Sequence, residues 1–283
     1  MTVEVRRGDV WALGDHRLMC GDSTDPDDVA TLMGGGRAEL LFTSPPYSDM
    51  REYNGAKELD PSHMAKFISI YAPYCEYMAV NLGIKRKDRE IVPYWDEYIY
   101  AAHAAGLKLM AWNVWDKGEC GSVAAQSAFI PIRHEFIFVF GRNDKQLNRT
   151  WKKQIRSIVE KGKEKTSIRQ SDGVIKRSYK GDTSRMLKEM ESVVQCRQVK
   201  GLQVATNHPA PFPLRLPSEY IAAITDKGQG VCEPFSVSGT TIIAAEKFGR
   251  ACYAMELDPT YCEESIWRWE VKTGKRAELL ERL

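Results

Sequence analysis

The chain has 283 residues, 43% of them hydrophobic and 10% aromatic, with 40 Lys+Arg against 38 Asp+Glu. That length and composition suffice to bury a full core, which excludes disorder, collagen and coiled coil, and no apolar run approaches the ~20 residues needed to cross a bilayer. The opening MTVEVRRGDVWAL has no apolar stretch before a small-residue cleavage site, so a cytoplasmic location is expected.

The near-neutral charge conceals an asymmetry. Between Arg142 and Lys200 stand 17 basic and 7 acidic residues, leaving 23 basic and 31 acidic elsewhere. An acidic body with one basic segment is an electrostatic footprint for a polyanion, because each neutralised phosphate releases counterions. Charge alone fits a solvated insertion equally well. The seven cysteines form no CxxC pair and the five histidines no HxxxH spacing. Reduced thiols are expected, and no metal site.

In chain order, Val10–Leu13 and Arg17–Cys20 form a hairpin across Gly14-Asp15. Asp25-Pro26 opens a helix through Met33, closed by Gly34-Gly35-Gly36. Ala38–Thr43 is a strand ended by two prolines, which cannot continue the ladder. Residues 61–82 and 93–106 read as helices, and Lys108–Val114 and Arg133–Phe140 as strands. The basic stretch 142–200 lacks apolar periodicity and reads as an inserted subdomain between an N-terminal part, 1–141, and a C-terminal part, 201–283. A helix at 217–225, a strand at 230–234, a helix at 240–248, a strand at 250–257 and a final amphipathic helix follow. Strands alternating with helices predict an α/β fold with a mostly parallel sheet.

Two constellations carry chemistry. Thr43-Ser44-Pro45-Pro46-Tyr47 stands at the carboxyl end of a strand, and Glu233-Pro234-Phe235-Ser236-Val237-Ser238-Gly239-Thr240-Thr241 runs from a strand through a small-residue loop into a helix. In an open α/β sheet both loops can share the crevice at the strands' carboxyl ends. Glu256 ends the next strand, where a nucleoside-binding unit places its ribose acceptor. Read alone, the small-residue loop is weak, Asp22 is a turn aspartate and Glu256 a solvated carboxylate.

Together these segments resemble the S-adenosylmethionine-dependent DNA amino-methyltransferases of the circularly permuted β class. Ser44–Tyr47 is similar to that family's [D/N/S]PP[Y/F] motif, Glu233–Thr241 to its DPFxGxGTT-like donor loop, His208–Pro213 to its HPAPFP variant and Leu18–Asp22 to its GD motif. Glu233 stands where the family has Asp, and Val237 where it has Gly, a position a valine occupies at a cost if φ is positive.

The resemblance implies a Rossmann-like methyltransferase fold, S-adenosyl-L-methionine as donor and double-stranded DNA as substrate, with no membrane partner. A homodimer and a cognate restriction endonuclease stay open. It assigns catalysis to Ser44, Pro45, Pro46 and Tyr47, and donor binding to Asp22, His208, Glu233, Phe235, Ser238, Gly239, Thr240, Thr241 and Glu256. In the basic segment Trp151, Lys152, Lys153, Arg156, Arg169, Lys176, Arg177 and Tyr179 mix aromatics with cations, suiting phosphate contacts and base stacking. No proline is followed by cysteine, so the cytosine-C5 branch and its cysteine nucleophile are excluded. Cytosine N4 is the favoured amine and adenine N6 the alternative. The rivals are an RNA or protein amide methyltransferase and a weakly active DNA-binding protein on the same fold.

Overall fold

The computed structural model describes residues 3–46, 61–118, 130–148, 151–152, 165–169, 175–179, 187–188, 190–196 and 212–282. The chain divides into two compact units, Met1–Gln146 with Glu191–Leu283, and Leu147–Met190.

The larger unit opens with β1 (Val10–Leu13) and β2 (His16–Cys20), paired so that Leu13 faces His16 across the two-residue turn. Gly14 takes φ 62° there, the left-handed geometry such a turn requires. Helix α1 (Pro26–Met33) starts where the Asp25 carboxylate accepts the Asp27 and Asp28 amides, and stops at left-handed Gly34. Strand β3 (Ala38–Thr43) is followed by α2 (Pro61–Met64), α3 (Lys66–Tyr71) and β4 (Cys75–Leu82).

That last strand corrects the helix expected over 61–82. Only Glu76 in Cys75–Leu82 escapes full burial. A strand buried on both faces shows no alternation, so its apolar run cannot be told from a buried helix by pattern.

A small hairpin, β5 (Lys85–Lys87) and β6 (Glu90–Val92), leads to α4 (Asp96–Ala104), β7 (Lys108–Asp116) and β8 (His134–Gly141). The smaller unit holds β9 (Trp151–Lys152), β10 (Lys165–Arg169), β11 (Ile175–Tyr179) and β12 (Leu187–Lys188). There β10 pairs antiparallel with β11, and β12 with β9. Next, β13 (Val193–Gln195) rejoins the larger unit, pairing with β7 although it lies within the basic stretch 142–200. The chain closes with α5 (Arg215–Ile224), β14 (Gly230–Glu233), α6 (Thr240–Phe248), β15 (Ala251–Glu256), α7 (Pro259–Thr273) and β16 (Glu278–Glu281).

The main sheet runs β13-β7-β8-β4-β3-β14-β15-β2-β1-β16. All but β8 and β1 point the same way. Helices α1–α4 pack among themselves, as do α5–α7. Strand β3 shows how the sheet divides them: Leu41 enters the cluster of Val29, Phe67 and Tyr71, while its neighbour Phe42 meets Tyr220 of α5 at 5.3 Å between ring centroids. This is the three-layer α/β arrangement.

Chain connections fix where a ligand can enter. From β3 the chain passes through α2 and α3 to β4 on one side, and from β14 through α6 to β15 on the other. The connections diverge between β3 and β14, the switch point at which open α/β sheets form their crevice. No described helix is long and apolar enough to cross a membrane.

Candidate active site

Parallel register brings the carboxyl ends of β3, β14, β15 and β2 side by side, since Leu41 pairs with Cys232, Glu233 with Ala254, and Glu256 with Cys20. The loops that follow carry Ser44-Pro45-Pro46, Pro234–Gly239, Leu257-Asp258 and Gly21–Thr24. Every motif of the body that lies in described residues therefore converges on one edge.

Glu233 is the knot between the first two loops. It is fully buried; its Oε1 accepts the Thr43 hydroxyl at 2.5 Å and the Phe235 amide at 3.4 Å, and its Oε2 accepts the Thr241 hydroxyl at 2.6 Å. Burial pushes its carboxyl up to about 8, against the downward pull of those hydrogen bonds. When the proton is on, one carboxyl oxygen turns donor and its threonine turns acceptor, a reversal a hydroxyl permits.

The backbone of the Pro234–Gly239 loop is fixed residue by residue. Val237 sits at φ 50°, left-handed despite its β-branch. Its amide donates to Glu256 Oε2 at 2.8 Å and its carbonyl accepts the Ser265 hydroxyl at 3.0 Å. The valine thus adopts the conformation for which glycine is the natural residue, and neighbouring hydrogen bonds hold it there. Gly239, at φ 72°, is a genuine requirement: a Cβ there would lie 3.0 Å from Ser265 Cβ. It opens α6 without any side-chain cap, so the first-turn amides of Thr240 and Thr241 keep their anion-binding character.

Glu256 Oε1 accepts the Asp258 amide at 2.9 Å, and burial raises its carboxyl above the ordinary value. Asp22 Oδ1 accepts both the amide and the hydroxyl of Thr24, at 2.8 and 2.7 Å, which makes it a turn former as well as a carboxylate at this edge. Phe235 packs edge-on against Phe67 at 5.3 Å, and Ser238 is buried with its carbonyl facing Arg268.

Several residues that pattern reading passed over belong here. The Ser23 hydroxyl donates to the Pro234 carbonyl, tying the loop after β2 to the Pro234–Gly239 loop. Arg268 of α7 is buried, and its guanidinium reaches the Ser238 carbonyl and, at 3.5 Å, the Thr240 hydroxyl. Its signal was a lone arginine on the inner face of an amphipathic helix. The Ser236 hydroxyl is buried with no hydrogen-bond partner among the described residues.

Tyr47, Lys153, Arg156 and His208 lie outside the described residues. Trp151 and Lys152 fall on β9, Arg169 on β10, and Lys176, Arg177 and Tyr179 on β11, where Arg177 pairs with Ser167. No group of three His, Cys, Asp or Glu side chains able to hold a metal ion occurs among the described residues. Six of the seven cysteines are described, all buried and free.

A family model described as DNA methylase, N6_N4_Mtase, matches residues 38–266. The chain belongs to this DNA methylase family. It is 25% identical over 240 residues to the orphan methyltransferase M.BamHII of Bacillus amyloliquefaciens, covering 82% of this chain and 88% of that protein. A shorter stretch of 59 residues, 21% of this chain and 17% of the relative, is 41% identical to the type II methyltransferase M.BglI of Bacillus subtilis. In fold it is similar to the cytosine-N4-specific PvuII DNA methyltransferase, with TM-score 0.62, 17% identity, and 89% and 85% of the two chains covered. TTHA0409 of Thermus thermophilus, solved in complex with S-adenosyl-L-methionine, aligns with TM-score 0.59 and 19% identity over 94% of this chain and all of that one. The fold is the Rossmann-like α/β fold of the DNA methyltransferases.

Proposed function

We propose that this chain transfers a methyl group from S-adenosyl-L-methionine to an exocyclic amine of a base flipped out of double-stranded DNA, with cytosine N4 as the favoured amine. The observation that carries the reading is the adjacency of the Ser44-Pro45-Pro46 loop and the Glu233–Thr241 loop at the switch point, joined through Thr43 and Glu233. A methyl acceptor held by the first loop lies beside a donor held by the second.

The donor-loop residues suit such a cofactor. The uncapped start of α6 can receive a carboxylate, the buried Ser236 hydroxyl lacks a partner among the described residues, and Glu256 keeps acceptor capacity for hydroxyls beyond its two amide bonds. When bound, the donor supplies an electrophilic sulfonium methyl. The chain's own task is the amine, whose lone pair is conjugated with the base ring and poorly nucleophilic. The Ser44 hydroxyl oxygen and the Pro45 carbonyl accept hydrogen bonds from its N–H groups, drawing the nitrogen toward tetrahedral geometry and freeing the lone pair for in-line attack; the methylated nitrogen then releases one proton to solvent. Tyr47 stacks on the flipped base. No covalent enzyme intermediate is required.

The cytosine preference rests on the neutral serine before the prolines. Its hydroxyl donates as well as accepts, which suits a base offering N3 and O2 near its amine. The cytosine-N4 specificity of the PvuII enzyme supports it. Mass spectrometry of nucleosides from treated duplex is the test: the cytosine-N4 product is expected, and the adenine-N6 product alone would move the assignment to adenine. Methyl transfer to RNA or protein only would remove DNA as substrate. Absence of any heat on calorimetric titration with S-adenosylmethionine would leave a DNA-binding module.

The segment 142–200 supplies the phosphate contacts in this reading, on its 17 basic residues. Replacing Lys152, Lys153 and Arg156 by Ala should flatten the dependence of DNA affinity on salt by about 3 in log–log slope. An unchanged slope would place the footprint elsewhere.

A further inference from the structure

Behind Ser44 lies a polar chain that the proposed mechanism does not use. The register Thr43↔Val80 puts Asn81 of β4 directly beside Ser44. Asn81 is 1% exposed, in a strand otherwise built of apolar side chains from Tyr77 onward. Its side-chain amide lies 3.4 Å from the Ser44 hydroxyl oxygen and 2.6 Å from Glu135 Oε2 of β8. Glu135 is in turn ion-paired through Oε1 with Lys117, at the end of β7. The Lys117 ammonium also stands 4.8 Å over the Trp115 ring, which fixes it further.

The orientation of the amide follows from its partner. A carboxylate paired with lysine only accepts, so the NH2 of Asn81, not its carbonyl, must face Glu135. The same nitrogen is the one near Ser44. We propose that Asn81, oriented by Glu135 and Lys117, is a positioning residue for Ser44: it donates to the serine oxygen and directs the hydroxyl proton toward the bound base. Ser44 then meets the base with its hydroxyl proton directed at a ring acceptor, and the Pro45 carbonyl accepts a hydrogen bond from the amine. The inference rests on the methyl-transfer reading for its consequence, and on the Asn81–Ser44 and Asn81–Glu135 contacts for its geometry. A buried amide with a charged pair behind it is costly in a strand core unless it holds something in place.

A double-mutant cycle tests it, with a spectroscopic measurement that needs no turnover. N81A should lower kcat on the order of tenfold to a hundredfold, with donor affinity by calorimetry unchanged within about twofold. In an S44A background the same substitution should cost nothing more, because Asn81 acts only through that hydroxyl. N81D places a second carboxylate beside Glu135. Its carboxylate has no proton for Ser44, and the single proton the pair takes up at low pH is shared with Glu135, so N81D should lose kcat as N81A does. In NMR spectra the Asn81 side-chain amide signals, assigned by their loss in N81A, should shift in both S44A and E135Q. Additive losses in the cycle, an N81D kcat equal to wild type, or Asn81 signals indifferent to S44A would each overturn the proposal. A wild-type protein that methylates no DNA would instead overturn the functional reading, and the amide signals would still decide whether Asn81 holds Ser44.

Discussion

The two segments that meet at the switch point, Ser44–Pro46 and Glu233–Thr241, are held in different ways. The donor loop is held by hydrogen bonds at successive residues: Glu233 to Thr43 and Thr241, the Ser236 amide to the Met255 carbonyl, Val237 to Glu256 and Ser265, and Ser238 to Arg268. The Ser44–Pro46 segment carries covalent stiffening, two consecutive prolines with φ locked, and has the Asn81 amide behind Ser44. The difference has a chemical logic. On the proposed reading, the Glu233–Thr241 loop spends its own backbone groups on neighbours and still offers the uncapped start of α6 to the donor. On the same reading, two prolines stiffen the Ser44–Pro46 segment while leaving the Pro45 carbonyl in place to accept from the substrate amine.

If hydrogen bonding holds the donor loop, its centre should be the most sensitive point. Glu233→Ala removes three acceptor contacts and leaves a cavity, and should destabilise the protein by about 3 kcal/mol, read from the shift of the urea midpoint. Glu233→Gln keeps the volume and tests the charge. The Glu233 carboxyl stands at about 8 in the fold against an ordinary 4.5, so the fold favours its protonated form. Its contribution is therefore full below about pH 4.5 and is lost as pH rises through 8. His16, whose pKa is lowered by burial, acts in the opposite sense, losing stability as pH falls. It is present in both proteins, so the difference between wild type and Glu233→Gln isolates the glutamate. That difference should move against wild type between pH 5 and pH 9; a constant difference would mean Glu233 keeps an ordinary pKa.

Glu256 sharpens the comparison at the donor's side of the crevice. Glu256→Ala should weaken binding of S-adenosylmethionine by ~1.5–3 kcal/mol, and Asp22→Ala by less, because Asp22 Oδ1 is already committed to Thr24. Calorimetry measures both, and unchanged affinity in the two variants would remove these carboxylates from the donor site.

What was legible in the sequence follows the same division. Backbone punctuation could be read: Asp25-Pro26 and Asp258-Pro259 cap helices, Gly34 stops α1, and both motif loops end strands as expected. Long-range hydrogen bonding could not. Nothing in the order of residues says that Thr43 and Thr241 share one carboxylate 190 and 8 residues away. Asn81 was hidden for a further reason. It lies in the stretch expected as helix, and only a strand there, paired to β3, sets it beside Ser44. The edge strand β16 was likewise missed, because Glu278–Glu281 is exposed and carries no apolar alternation of its own.

The finest test of the contrast is Val237, where the donor loop's hydrogen bonds hold a residue against its own preference. At most positions glycine is less stable than alanine, since it gains more freedom on unfolding, by about 0.4–1 kcal/mol. At φ 50° the order should reverse. Val237→Gly removes the left-handed penalty, roughly 1–2 kcal/mol for an L-residue, while giving up unfolded-state restriction and the contacts of a half-buried isopropyl group. These nearly cancel, so Val237→Gly should lie within about 1 kcal/mol of wild type. Val237→Ala loses the side chain and keeps the penalty, so it should fall below Val237→Gly by up to about 1 kcal/mol. Urea denaturation of the three proteins at one pH gives the ranking. Alanine above glycine would mean that residue 237 leaves the left-handed region, and that the bonds from Glu256 and Ser265 do not hold the loop as tightly as their geometry indicates.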